Sequence, residues 1–262
     1  MPSRMTKTKK EIAILREGGK ILREALLAAR DLAMEGAQRE VASHELNDLA
    51  IKIVGKYGGE PSFLNYEVGQ DKNGSINYPA ALCISNNTEI VHGIPTDTKI
   101  IKSGDLLKLD LGVWYKNLCT DSALSVAVGD VSSVANRMID ATREGLKRGL
   151  KEIKPGNTIG DYGYTVDKYV TDQGFFTIQG LVGHGVGYEV HEPPQIPNFG
   201  KKGRGIKFEE GMVLALEPMI GQFSGNIQQG DDGFSYTTVD GGLAAHFEHT
   251  VVVTKNGNEI LT

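Results

Sequence analysis

The chain has 262 residues with 33 glycines and two cysteines, and its 28 Lys and Arg against 33 Asp and Glu leave a formal net charge of −5. At 40% apolar and 23% charged residues this is the composition of a soluble globular protein, which excludes disordered, collagen-like and coiled-coil chains. The mild acidic excess excludes a domain that holds nucleic acid by charge alone, so no DNA contact is expected. The length predicts one or two domains. No apolar run reaches the ~18 residues of a membrane span, and no apolar core follows the basic start as in a signal peptide, so no membrane contact and a cytoplasmic location are expected. Cys83 and Cys119 lack CxxC spacing and are read as reduced thiols.

Arg4, Lys7, Lys9 and Lys10 are read as the solvated cations of a basic start, with a tail over residues 1–9 and a transient ribosome contact as the lesser expectation. Thr8 and Glu11 then carry a capping-box signature. Apolar or small residues follow at Ile12, Leu15, Gly19, Leu22, Leu26, Ala29 and Ala33, the spacing of an amphipathic helix ending at Gly36. A second helix runs from Ser43 to the Gly58-Gly59 stop, with Leu46, Leu49, Ile53 and Val54 on one face. Strands are predicted at 80–85 and 89–92 around an Asn86-Asn87 turn, then at 106–115 and 122–128 with a polar loop between them. The second half repeats this order, with helices over 133–150 and 158–173 and strands over 212–220 and 249–254. Nothing resembling a linker separates the halves, so 10–262 is read as a single domain of two halves, about 10–130 and 131–262.

The strands align more closely than the helices. Gly104 precedes Asp110 by six residues, as Gly211 precedes Glu217, and Asp121 and Glu248 each sit at the mouth of a strand. The second pair is about twenty residues further apart than the first, which places an insertion between Met219 and Ala244. A lone acid among apolar strand residues would face solvent or pair with a buried cation. Four drawn together would repel strongly, Lys108 alone cannot neutralise them, and a divalent metal is the economical answer.

Fifteen of the 33 glycines fall between Gly174 and Gly242, and three of these surround His184 in Gly183-His184-Gly185-Val186-Gly187. That run either presents an imidazole to a ligand or is a tight turn with an incidental histidine. No Gly-Lys-Ser/Thr follows, as a phosphate loop would need. His191-Glu192-Pro193-Pro194 lacks the HExxH spacing of zinc peptidases. His44, His246 and His249 are read as surface or packing residues. Four carboxylates with one imidazole suit two divalent ions about 3.5–4 Å apart sharing carboxylates, which is a hydrolase site.

Leu109-Asp110-Leu111-Gly112, Thr120-Asp121-Ser122, the GHGVG and HEPP runs, Leu216-Glu217-Pro218-Met219, Phe247-Glu248-His249-Thr250-Val251 and Val91-His92-Gly93-Ile94-Pro95 stand in order and spacing. Over residues 10 to 262 this resembles the type I methionine aminopeptidases of the M24 metallopeptidases. The resemblance implies the pita-bread α/β fold, two pseudo-symmetric halves with antiparallel sheet covered by helices. It implies that Asp110, Asp121, His184, Glu217 and Glu248 ligate two divalent ions (cobalt, manganese, iron(II) or zinc), with Asp121 and Glu248 bridging. It further implies attack by a metal-bridging hydroxide, Glu217 as general base, His191 on the carbonyl oxygen and His92 on the scissile nitrogen. The implied activity is removal of the initiator methionine from nascent chains when the second residue is small, by a monomer. Tyr78 and Cys83 match pocket-lining positions, while Ser75, Val190 and Phe234 depart from the residues frequent there. An Xaa-Pro dimetal peptidase, whose relatives usually carry an extra N-terminal domain, and a catalytically dead binding module are the alternatives.

Overall fold

The computed structural model describes residues 5–71 and 74–262. In the first half the order is α1 (Lys9–Glu35), β1 (Val41–Ala42), α2 (Ser43–Lys56), β2 (Glu60–Pro61), β3 (Glu67–Asp71), β4 (Gly74–Asn77), β5 (Leu82–Asn86), β6 (Glu89–Val91), β7 (Ile100–Ile101), β8 (Leu106–Tyr115) and β9 (Leu118–Ala127). The second half has α3 (Ser133–Leu150), α4 (Ile159–Asp172), β10 (Phe176–Thr177), β11 (Gly183–Gly185), β12 (Glu192–Ile196), β13 (Val213–Leu216) and β14 (Met219–Gly221). It ends with β15 (Ile227–Gln229), β16 (Tyr236–Thr238), β17 (Ala244–His246), β18 (His249–Thr254) and β19 (Gly257–Ile260).

The Thr8–Glu11 capping box forms as its spacing predicts. The buried stripe Leu15, Gly19, Leu22, Leu26, Ala29 and Ala33 follows, laying α1 over β8 and β9. α1 and α2 with β5 and β8 enclose one apolar cluster, and α3 and α4 with β13, β14 and β18 enclose its counterpart. A third cluster joins the halves through Leu15, Phe63, Cys119, Val213 and Val252.

The two halves agree in detail at their acid-bearing strands. Gly104 and Gly211 both adopt left-handed φ, +98° and +91°, which glycine alone takes without strain. Gly104 N–H donates to Val128 O and Val128 N–H to Asp105 O, and Gly211, Val253 and Met212 repeat the pattern. The added segment of the second half folds as the hairpin β15–β16, and β16 pairs with β6 of the first half.

Three expectations are corrected. β9 begins at Leu118, because Lys116 and Asn117 both adopt positive φ (48° and 64°) and close β8–β9 as a two-residue hairpin. Asp121 therefore lies inside a strand rather than at its mouth. The strand expected over 212–220 breaks at Glu217-Pro218, where proline has no N–H for the ladder.

The basic start is the third correction. Arg4 lies outside the described residues and Lys9 and Lys10 are exposed, but Lys7 is buried. Its ammonium meets Glu192 at 2.6 Å and sits 4.4 Å from the centre of the Tyr188 ring. Lys7 N–H also donates to Gly211 O at 2.8 Å. Breaking a buried pair leaves an uncompensated charge, so Lys7→Ala is expected to lower unfolding stability by about 3–5 kcal/mol. Urea denaturation with an unchanged m-value checks this.

Candidate metal centre and active site

β8 and β9 place Asp110 and Asp121 diagonally on one face, Asp110 opposite Ala123 and Asp121 opposite Gly112. The small partners leave that face open to the carboxylates. β13 and β18 end their ladder at the pair Leu216–His249, so Glu217 and Glu248 emerge side by side where it opens. The halves are stitched together at this point. Glu248 N–H donates to Ala123 O, Ser122 Oγ to Glu248 O, and Thr250 Oγ1 to Asp121 O, at 2.7–2.8 Å.

His184 enters from β11, the strand that pairs with β13. A Cβ on Gly183 would lie 2.5 Å from Ala215 O, and one on Gly185 2.3 Å from Pro193 O. Glycine on both sides of the histidine is thus what lets β11 lie between its neighbours, so the run is a strand and not a tight turn. His184 Nδ1 is 2.9 Å from Gly185 O. That bond places the ring proton on Nδ1 and turns the Nε2 lone pair toward the acids, the usual orientation of a metal-binding imidazole.

Ligand atoms of Asp121, His184 and Glu248 lie within 4.8 Å of one another, all three residues buried. Glu217 Oε1 is 3.4 Å from His184 Nε2. Burial first, and the neighbouring carboxylates second, push Asp110, Glu217 and Glu248 well above the usual carboxylate range, and burial also raises Asp121. Buried oxygens Asp110 Oδ1, Asp121 Oδ1 and Glu248 Oε1 have no hydrogen-bond partner among the described residues. Lys108 lies buried on the same strand, but its ammonium donates to Asn87 O and Leu106 O. Oxygens drawn together, unpaired and without a neutralising side chain fit divalent cations.

The acids form the floor of a cavity of about 440 Å³. Tyr78, Cys83 and Phe234 line it; the Tyr78 and Phe234 rings meet edge to face with centroids 5.7 Å apart. His92 lies in the wall with φ +59° and its ring 5.9 Å from that of Tyr236. His191 stands at the mouth, its ring centroid 4.5 Å from that of His184 and its Nδ1 2.9 Å from the Tyr66 hydroxyl. Burial lowers the pKa of His92 to about 4 and of His184 to about 3, so both rings are neutral.

Ser75 and Val190, read as pocket positions, do not line the cavity. Ser75 is exposed on β4, bonded to Glu67, and Val190 is buried beside Leu15 and Val186. Phe63 and Tyr66 supply the wall instead. Tyr66 and Tyr78 are separated by an eleven-residue stretch that includes β3 and β4. His246 is a second omission, since it is 1% exposed with Nε2 3.6 Å from Glu217 Oε2. Its place beside Phe247-Glu248 gave no periodic signal that its ring faces the acids.

A mixed α/β frame with antiparallel sheets around converging acids and an imidazole defines a metal-dependent hydrolase. Residues 13–255 match metallopeptidase family M24. The methionine aminopeptidase of Clostridium perfringens is 38% identical over 256 residues, covering 98% of this chain and 97% of that one. The solved methionine aminopeptidase of Thermotoga maritima superposes with TM-score 0.91 at 37% identity over 98% of both chains. A prolidase from Pyrococcus horikoshii reaches TM-score 0.75 at 23% identity, with 99% of this chain covering 63% of that one, a likeness of fold alone. The chain belongs to metallopeptidase family M24, with the pita-bread fold and the activity class of a metalloexopeptidase. Among the described residues no helix is long and apolar enough to cross a membrane.

Proposed function

We propose that residues 10–262 form one catalytic unit that removes the initiator methionine from nascent chains whose second residue is small. In this reading Asp110, Asp121, His184, Glu217 and Glu248 would hold two divalent ions. The observation that carries it is the convergence of Asp121, His184 and Glu248 within 4.8 Å, with Asp110 and Glu217 lining the same cavity and buried oxygens of Asp110, Asp121 and Glu248 unpaired among the described residues. Bound there, divalent ions polarise a carbonyl and lower the pKa of water toward neutrality.

The side chains supply the rest. Glu217 takes the proton of the attacking water as general base. His191 Nδ1 is bonded to the Tyr66 hydroxyl, and in this reading the hydroxyl donates, so that the ring proton stands on Nε2 and meets the carbonyl oxygen as charge develops. His92 reaches the scissile nitrogen from the opposite wall and helps the amine leave. Tyr78, Phe234 and Cys83 form an apolar, aromatic pocket suited to a thioether. The acidic floor attracts a free α-ammonium, so a chain enters by its first residue. Aromatic rings back both histidines, Tyr66 behind His191 and Tyr236 behind His92, and in this reading these walls bound the space for the second residue.

Manganese, iron(II), cobalt and zinc all accept this donor set. The test is methionine release from Met-Gly and Met-Lys peptides after loading with each metal. Release from Met-Gly at least about tenfold faster than from Met-Lys, the discrimination a pocket wall supplies, is expected, and chelation should abolish it. Absence of methionine release from either peptide with every metal would overturn the proposal.

A further inference from the structure

Glu217, which lines the catalytic cavity, has a second imidazole behind it. His246 lies on β17 opposite Met219 of β14, so its ring descends alongside the Glu217-Pro218 corner. Ser125 Oγ fixes its backbone, donating to His246 O at 2.8 Å and accepting from His246 N–H at 2.9 Å. Ser125 belongs to the strand that carries Asp121. The His246 side chain is almost wholly enclosed, and neither ring nitrogen has a hydrogen-bond partner among the described residues. A buried donor without a partner is costly, and Glu217 Oε2 at 3.6 Å answers it.

We propose that His246 is a positioning residue for Glu217, its Nε2–H donating to Oε2 so that Oε1 stays turned toward His184 and the ions. This rests on the reading of Glu217 as base and ligand. A distance of 3.6 Å is longer than a formed hydrogen bond, but catalytic bonds are often long in a free enzyme and tighten in the complex. Glutamate χ3 is a broad torsion, so a small rotation of one carboxylate closes the gap. Two imidazoles then bracket the carboxylate, one at each oxygen.

The test compares His246→Gln, which keeps an N–H donor at similar reach, with His246→Leu, which removes it. For His246→Leu, kcat on a Met-Gly peptide should fall about 10- to 100-fold, the range for residues that support metal ligands, with KM nearly unchanged. Manganese binding by calorimetry should weaken about tenfold while two ions still bind. His246→Gln should recover most of both losses. Melting of the chelated proteins checks folding, and if the leucine variant does not fold, His246→Asn, too short to reach Glu217, replaces it.

Equal impairment of the Gln and Leu variants, or none in either, overturns the proposal. Loss of one bound ion in His246→Leu also overturns it, because His246 would then be a ligand. If the parent releases no methionine, the proposed function falls while manganese affinity across the same variants still decides the role of His246.

Discussion

Asp121→Asn and Glu248→Gln proteins are expected to lose at least about 10³-fold in kcat/KM for methionine release, more than the 10- to 100-fold that residues behind the ligands cost. Both changes keep shape and remove charge. The oxygens concerned are buried and unpaired, and neutral amides bind hard divalent cations less well than carboxylates do. Metal content should fall in parallel, below two ions per chain. Steady-state kinetics with elemental analysis of the purified variants checks this, and a variant within tenfold of the parent with full metal content would remove its acid from the ligand set.

Chelation should lower the melting temperature and reverse the pH dependence of stability. Without metal, the folded protein holds four carboxyls whose pKa values burial and mutual repulsion raise. In the unfolded chain such groups titrate near 4. The buried histidines, whose pKa values burial lowers, give the opposite slope below about 6.5, so it is from there upward that the folded state binds more protons than the unfolded one and stability must fall as pH rises. Cations that bind only the folded protein add stability that grows with free metal concentration, and they bind best once the acids have lost their protons. Calorimetric scans between about pH 6.5 and 8 with and without manganese should thus diverge, the chelated form melting lower at the higher pH. A chelated protein that gains stability across that interval would contradict the raised values.

The sequence was most informative where local rules and charge coincide. Helices α1 and α2 follow from a cap, periodicity and glycine stops, and Asp110, Asp121, Glu217 and Glu248 stand out because ionised acids inside apolar strands need a physical reason. Pairing across long separations was less visible. Strand 16 completes a sheet with β6, about 145 residues earlier, and nothing local in either segment announces the other. Lys7 looked solvated because its partner Glu192 lies 185 residues away. His246 was read as packing for the same reason, since the pairing of β17 with β14, not its flanking residues, turns its ring toward Glu217. Tyr66 was hidden by the β3–β4 hairpin that separates it from Tyr78. Each omission concerns a residue whose role is set by what folds against it from elsewhere.

The short connection from Val128 to Ser132 between β9 and α3 has a consequence for how the four acids come together. Neither half carries more than two of them. Covalent linkage makes their meeting an intramolecular event, governed by an effective concentration that the connection sets. Dilution that would disperse two separate copies leaves this site assembled. The same tether dictates which carboxylates face one another, so one half was free to hold aspartates while the other holds glutamates and the histidine, an asymmetry that two identical subunits about a two-fold axis cannot adopt.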